Sequence, residues 1–270
     1  MSNSSNKISK LSKLSESIRR AIRYYLIARK IIKNPLFILI SRNKVVKIPK
    51  RMSTDALKIR TIQFRDGFTL KLSTFTGHLT DVFFDEVYEP LNVMQEIVID
   101  IGANIGDSTI YFIQKGAKIV IAIEPYPDFY NLLAENIKIN NLDNKVIPLN
   151  VGISSTIGQI KINKTNTADI GYSLKKCDDG KLIVGLTTLK QILDEFNLCD
   201  VVLKMDCEGC EYDSILACEK EILRKFKRVA LEYHNGPQNI PEKFEEAGFI
   251  VNIPAYTSPI GMLYASRKDM

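Results

Sequence analysis

The amino-acid sequence predicts an α/β fold built on buried parallel strands. Short runs of β-branched and apolar residues alternate with longer segments whose apolar residues recur at helical spacing. One run, Ile97 to Ile101, leads into a turn with two glycines, Gly102 and Gly106, and then into the helix-start residue Asp107. With 270 residues and 45% hydrophobic content, the chain can bury one sizeable core.

Residues 1–51 are predicted to form a basic, amphipathic N-terminal helical extension, ahead of a domain of residues 52–270. The extension has 14 Lys and Arg against the single acid Glu16, a balance of +13, whereas the remaining 23 basic and 30 acidic residues give −7. Asn34 and Pro35 should end its helix. The apolar residues at helical spacing are Ile8, Leu11, Leu14, Ile18, Ile22, Tyr25 and Leu26.

Three roles fit this extension. Its apolar stripe packs on the domain and leaves a solvated basic face, or the helix makes peripheral contact with an anionic membrane, or it binds RNA. The apolar run from Leu36 to Ile40 is too short for a membrane span or a signal peptide. The sequence therefore predicts a cytoplasmic protein, with peripheral membrane attachment as the alternative.

The five cysteines are an odd number in a chain without a signal peptide, which favours a reducing compartment. Cys207 and Cys210 form a C-x-x-C pattern between a predicted strand and a predicted helix. Because Cys199 and Cys218 lack zinc-ligand spacing to this pair, we expect structural or incidental thiols. A redox or metal role is the alternative.

Two features precede the first core strand. From Lys58 to Leu72, alternating residues around Asp66 and Gly67 predict a β-hairpin. The aromatic stretch of residues 82–88 is expected to form part of a rim or lid, and its last residue, Tyr88, is the one that we expect in a pocket.

The turn after the first core strand predicts a nucleotide-like ligand. Its glycines are spaced G-x-x-x-G, unlike the G-x-G-x-x-G of the dinucleotide-binding fingerprint. Glu124 ends the next apolar strand about twenty residues later, where an acid can accept hydrogen bonds from both ribose hydroxyls of a nucleoside.

The remaining core elements follow in order. A helix with Pro127 in its first turn precedes the third strand, which spans residues 146–151. Residues 153–164 suggest an inserted hairpin, and residues 166–180 either a substrate loop or a disordered one. Thr188 caps the next helix, and the fourth and fifth strands span residues 201–206 and 228–233.

The amino-acid sequences of three motifs resemble those of the FkbM family of class I S-adenosylmethionine-dependent methyltransferases. These motifs are VIDIGANIGDST, AIEPYP and LKMDCEGCEYDSIL, and the resemblance covers roughly residues 60 to 266. It implies a Rossmann-like, mostly parallel sheet with an antiparallel final strand and helices on both faces. It also implies S-adenosyl-L-methionine as the cofactor.

The resemblance also implies which residues hold the methyl donor. Asp100 is expected to face the donor's amino group, and Glu124 its ribose. Where many class I methyltransferases carry an acid that reads adenine, this chain has Asn150 and Val151, so backbone and apolar contacts are expected there. The predicted cofactor residues are Asp100, Gly102, Ala103, Asn104, Gly106, Glu124, Pro125, Asn150, Val151 and Asp206.

Four residues at the carboxyl ends of the fourth and fifth strands are candidates for catalysis: Asp206, Glu208, Glu232 and His234. A hydroxyl acceptor must lose a proton, and a histidine that titrates near neutral pH suits a general base. We assign no metal ligand, although carboxylates and an imidazole also suit a divalent cation. Lys204 is expected to pair with a carboxylate.

These residues predict O-methylation of a hydroxyl on a carbohydrate, a lipid-linked glycan or another small molecule. The alternative is an RNA methyltransferase that holds nucleic acid with the basic extension. The acceptor itself and the oligomeric state have no signature in the sequence.

Overall fold

The structure is a computed structural model that describes residues 16–33, 61–72, 78–163, 179–254 and 258–269. Most of the predicted loop of residues 166–180 and most of the N-terminal extension lie outside the described residues. Within the described residues, no helix combines the length and apolar character that crossing a membrane requires.

A seven-stranded sheet forms the centre of the molecule, as the sequence predicted. Its strands, in chain order, are β3 (Ile97–Ile101), β4 (Ile119–Ile123), β5 (Val146–Leu149), β9 (Val201–Met205), β10 (Phe226–Tyr233), β11 (Phe249–Asn252) and β12 (Gly261–Arg267). Their spatial order is β11-β12-β10-β9-β3-β4-β5. Only β12 runs antiparallel to its neighbours, β10 and β11, so the prediction of a mostly parallel sheet with an antiparallel final strand is confirmed.

Helices cover both faces of this sheet because the strands are apolar on both sides. One face carries α1 (Glu16–Ile31), α2 (His78–Phe83), α3 (Asp107–Gln114) and α4 (Pro127–Ile139). The other carries α5 (Leu189–Glu195), α6 (Cys210–Leu216), α7 (Lys220–Leu223) and α8 (Ile240–Glu246). Alternate residues of one strand enter the two cores: Val98 faces the first and Ile99 the second.

Strands β3 and β9 lie side by side although β4 follows β3 along the chain. The connections after these two strands therefore diverge to opposite sides, and a crevice opens where they part. In open α/β sheets, ligands bind at this topological switch point, outside the carboxyl ends of the strands.

A second, three-stranded sheet corrects the predicted hairpin of residues 153–164. Its strands are β6 (Gly152–Ile153), β7 (Gly158–Ile162) and β8 (Leu182–Thr187), and β8 lies between the other two. The turn signals after Ile153 are real, but β7 pairs antiparallel with β8, and β6 pairs with β8 in parallel. Strand β8 was not predicted from the sequence, and its partners come from an earlier part of the chain.

The predicted N-terminal hairpin is confirmed as β1 (Thr61–Gln63) and β2 (Thr69–Lys71), which pair antiparallel. Helix α1 packs beside it, and Ile32 forms a bridge to Phe64. Tyr24 and Ala28 are buried residues of this helix.

The buried stripe of α1 differs from the predicted one, because Leu26 is 52% exposed. The part of the extension that the structure describes packs on the domain. Contact with a membrane or RNA remains a prediction.

Candidate active site

A pocket opens at the carboxyl ends of β3, β4 and β9, at the switch point of the sheet. Its lining includes seven of the residues predicted from the sequence: Gly102, Asn104, Glu124, Pro125, Val151, Asp206 and Glu208. Tyr88 also lines it, as predicted. Phe83, Phe84 and Tyr88 are all buried in the core, and Tyr88 is the one of these three that lines the pocket.

The glycine turn brings the first strand close to the fourth. Gly102 has φ +71°, and a Cβ placed on it would lie 1.7 Å from the carbonyl oxygen of Asp206. Gly106 precedes α3 with φ +91°, and a Cβ there would meet the Leu133 side chain at 2.8 Å. Only glycine satisfies the backbone conformation and the close approach at Gly102.

Glu124 lines the pocket and binds two backbone N–H groups of its wall. Its carboxylate accepts hydrogen bonds from the N–H groups of Asn104 and Tyr126, each at 2.9 Å. Burial raises the pKa of Glu124 to about 7, although these two hydrogen bonds act to lower it. Each carboxylate oxygen retains acceptor capacity, which is what a pair of ribose hydroxyls requires.

Three predicted cofactor residues support this lining without belonging to it. Ala103 is fully buried, and its N–H donates to the carbonyl of Ile123. The side-chain amide of Asn150 donates to the carbonyls of Glu124 and Pro125 at 2.9 and 3.1 Å. Gly106 supports the lining indirectly, because it forms the turn from which α3 begins.

Asp100 differs from the expectation that it faces the donor's amino group. Its fully buried carboxylate accepts hydrogen bonds from Ser108 and Thr109 and forms an ion pair with Lys204 at 3.1 Å. The cause is the strand register, which places Asp100 directly opposite Lys204 on β9. The expectation that Lys204 pairs with a carboxylate is thereby confirmed.

Lys204 also joins two sides of the pocket. Its ammonium donates to the carbonyls of Ile101 and Gly102 at 3.0 and 2.7 Å. It lies 5.8 Å from the centre of the Tyr88 ring. This one side chain therefore holds the glycine turn against β9.

The four predicted catalytic residues lie together beside the pocket. His234 Nε2 is 3.2 Å from a Glu208 carboxylate oxygen and 3.7 Å from one of Asp206. Asp206, Glu232 and His234 each offer a ligand atom, and these atoms all lie within 4.8 Å of one another. The three therefore form a set that could hold a metal ion.

The surroundings of this cluster favour the protonated forms of Glu232 and His234. Burial raises the pKa of Glu232 to about 8, and the charge of Asp206 adds to the effect. Burial alone would lower the pKa of His234, but the hydrogen bond with Glu211 and the charges of Glu208 and Asp206 raise it to about 9. The pKa of His234 thus lies above neutrality, and not near it as we expected from the sequence.

Glu211 and Tyr212 are site residues that the sequence analysis did not select. The fully buried Glu211 carboxylate lies 3.0 Å from His234 Nδ1 and accepts from the N–H of Gly209. The Tyr212 hydroxyl accepts from the N–H groups of His234 and Asn235. The available signal was the position of Glu211 as the last acid of the D-C-E-G-C-E motif.

The expectation of thiols at Cys207 and Cys210 is wrong in this structure, where the two are joined by a disulfide. Glu208 and Gly209 between them both have positive φ, and this tight turn brings the two Cα atoms to 5.5 Å. Among the described residues, Cys199 and Cys218 are free.

Comparisons with known proteins agree with this arrangement. A model of the methyltransferase FkbM domain matches residues 100–251. The chain is 31% identical over 231 residues to methyltransferase sdnD of Sordaria araneosa, covering 70% of this chain and 88% of that protein.

Solved structures give a more distant likeness. A ribosomal protein L11 methylase of Lactobacillus delbrueckii subsp. bulgaricus is 16% identical, with a TM-score of 0.45, and 72% of this chain and 81% of that chain are covered. The magnesium protoporphyrin IX methyltransferase of Synechocystis PCC 6803, solved with bound SAM, is 14% identical with a TM-score of 0.39, covering 71% and 80%.

Proposed function

Given that this chain belongs to the FkbM methyltransferase family, with S-adenosyl-L-methionine as its cofactor, we propose that it methylates a hydroxyl group of a carbohydrate, a lipid-linked glycan or another small molecule. The observation that carries this proposal is the pair of carboxylates in the pocket wall that can accept a proton. Asp206 and Glu208 line the pocket, and His234 lies within 3.7 Å of both.

The pocket suits the methyl donor in three respects. Gly102 has no side chain, so its backbone packs directly against that of Asp206, and both residues line the pocket. Glu124 presents a buried carboxylate to the ribose position, and Val151 offers an apolar contact to an adenine. The donor supplies an already activated methyl group, so the enzyme mainly has to hold the acceptor in line with it at about 3 Å.

A hydroxyl acceptor makes a demand that a more acidic acceptor does not. Its proton must leave as the carbon–oxygen bond forms, and an acceptor group is needed within about 2.6–3.2 Å. Asp206 and Glu208 are the two carboxylates of the cluster that line the pocket, so they are placed to receive it. His234 lies 3.2 Å from Glu208 and 3.7 Å from Asp206, and in its protonated form it stabilises their negative charge.

The test uses donor labelled in its methyl group and a panel of sugar, lipid-linked glycan, small alcohol and RNA acceptors. We expect label in an alkyl ether, identified by mass spectrometry of the isolated product. Asp206→Asn should retain donor binding by calorimetry and lose at least about 100-fold in transfer rate, as expected for loss of a proton acceptor.

The matched control is Asp194→Asn, which makes the same change on the exposed surface of α5. It should transfer methyl groups at the wild-type rate. Label found only in a nitrogen-linked methyl group, or full activity in Asp206→Asn, would contradict the proposal.

A further inference from the structure

We propose that Asp206, Glu232 and His234 bind a divalent cation beside the methyl-donor pocket. The three ligand atoms come from two neighbouring parallel strands and already lie within 4.8 Å of one another. Asp206 directly follows β9, and Glu232 and His234 lie two residues apart at the end of β10. Residues two apart on an extended strand point to the same side, so the backbone aims both toward Asp206.

The orientation of His234 provides a second, independent observation. A carboxylate only accepts hydrogen bonds, so the contact of 3.0 Å with Glu211 requires the proton on Nδ1. Nε2 is then the nitrogen that faces Asp206 and Glu208. A histidine whose far nitrogen is held by a buried carboxylate is the arrangement that orients histidine ligands in metal sites.

Glu211 is itself fixed in place, which makes this orientation rigid. Its side chain is fully buried and accepts a hydrogen bond from the N–H of Gly209 at 2.8 Å. The Tyr212 hydroxyl, which accepts from the backbone N–H of His234, fixes the same residue from the other side. The imidazole is therefore positioned before any ligand arrives.

The charge of the cluster also calls for a cation. Four carboxylates, those of Asp206, Glu208, Glu211 and Glu232, lie close to the single imidazole of His234. The charge of Lys204 also acts on Glu232, but the ammonium of this lysine forms its ion pair with Asp100. Carboxylates packed this closely need either bound protons or a positive charge beside them, and a divalent cation supplies that charge.

The ligand set indicates the class of ion. Two carboxylate oxygens and one imidazole nitrogen suit a first-row divalent metal such as Mn²⁺, whereas Ca²⁺ takes oxygen ligands throughout. Three protein ligands leave coordination positions free for water or a substrate oxygen. Asp206 belongs to the pocket wall, so these positions open toward the pocket.

A cation here would help the acceptor hydroxyl to ionise, and this role rests on the proposed function. The acceptor oxygen forms a bond to the methyl carbon while the carbon–sulfur bond breaks and its electron pair goes to sulfur. With the ion bound, Asp206 serves as its ligand, and the hydroxyl proton passes to Glu208, the other carboxylate of the cluster that lines the pocket, and then to solvent. Positive charge next to the oxygen lowers the pKa of its proton.

Binding is tested on the full-length chain without donor or acceptor, so that the result does not depend on the reaction. The protein is stripped with a chelator, desalted and titrated with Mn²⁺, and the free ion is followed by electron paramagnetic resonance. We expect one Mn²⁺ per chain. His234→Gln and Glu232→Gln should weaken binding at least about tenfold, and Glu211→Gln about 10–100-fold through the orientation of His234.

Asp194→Asn is the control for the loss of a surface carboxylate, and circular dichroism checks that each variant is folded. Absence of Mn²⁺ binding, or equal affinity in wild type and folded His234→Gln, would overturn the proposed site. If hydroxyl methylation fails but Mn²⁺ still binds with the expected pattern, the proposed function is wrong and the metal site stands. Full transfer activity in the stripped protein would overturn the role of the ion in the reaction.

Discussion

Replacing Gly102 by alanine tests the contact that joins the donor turn to the catalytic edge. A Cβ at this position would lie 1.7 Å from the carbonyl oxygen of Asp206, whereas ordinary contact begins at 3.4 Å. One of the two backbones must therefore move by roughly 1.7 Å, comparable to an overpacked core that costs about 1–3 kcal/mol. The positive φ of +71° adds about 1–2 kcal/mol for any residue with a Cβ.

Gly67 provides the matched control for this change. It also has a positive φ, +103°, but a Cβ there would meet nothing within 4 Å. Gly67→Ala should therefore show only the conformational cost of about 1–2 kcal/mol. Gly102→Ala should lose about 1–3 kcal/mol more in free energy of unfolding.

The measurement is urea unfolding followed by far-ultraviolet circular dichroism, because the chain has no tryptophan. A second readout is the methyl transfer rate, which should fall about 100-fold in Gly102→Ala because Asp206 is displaced, and stay unchanged in Gly67→Ala. If the two variants unfold within about 0.5 kcal/mol of each other and both remain active, the steric reasoning is wrong.

Three further predictions concern Lys204, Glu124 and the cysteines. Lys204→Met should destabilise the fold by about 3–5 kcal/mol because it leaves the Asp100 charge buried and unpaired. In a double-mutant cycle measured by urea unfolding, adding Asp100→Asn should recover part of that loss. The pKa of Glu124 is raised to about 7, so ionising it costs the folded apoprotein stability: the stabilisation is complete below the unfolded pKa near 4.5 and is lost as the pH rises through about 7. Donor affinity should change in the opposite sense: it should increase between about pH 6 and pH 8, the range around that pKa, because the carboxylate forms there. Calorimetry on Glu124→Gln should show weaker donor binding that lacks this pH dependence. Alkylation of the denatured protein without a reductant should modify Cys199 and Cys218, whereas Cys207 and Cys210 should react only after a reductant is added. Mass spectrometry that shows all four modified before reduction would contradict the disulfide.

The sequence anticipated the features that depend on neighbours along the chain. The apolar strands, the Gly102 turn, the acid at Glu124 and the helix start at Thr188 all have local patterns, and the structure shows each of them. The edge that gathers Asp206 and His234 could also be predicted, because parallel strands bring their carboxyl ends to one side.

Several features could not be read from local patterns. Strand β8 pairs with β6 and β7 although residues 163–181 separate it from β7 along the chain, so its partners are distant in sequence. Asp100 pairs with Lys204 because of the register between β3 and β9, and no single motif specifies that register. The orienting role of Glu211 likewise required the loop after β10 to bring His234 beside α6.

The sequence by itself indicated the family and the cofactor through the resemblance of its motifs. It also indicated the four residues beside the pocket, because strand periodicity and turn chemistry are local properties of the chain. Tertiary structure alone decided how those residues interact. Glu211 holds His234, burial and neighbouring carboxylates raise its pKa above neutrality, and Asp206, Glu232 and His234 come within reach of one ion. The physical reason is that charge, burial and ligand geometry depend on distances between strands, which are set only when the sheet has formed.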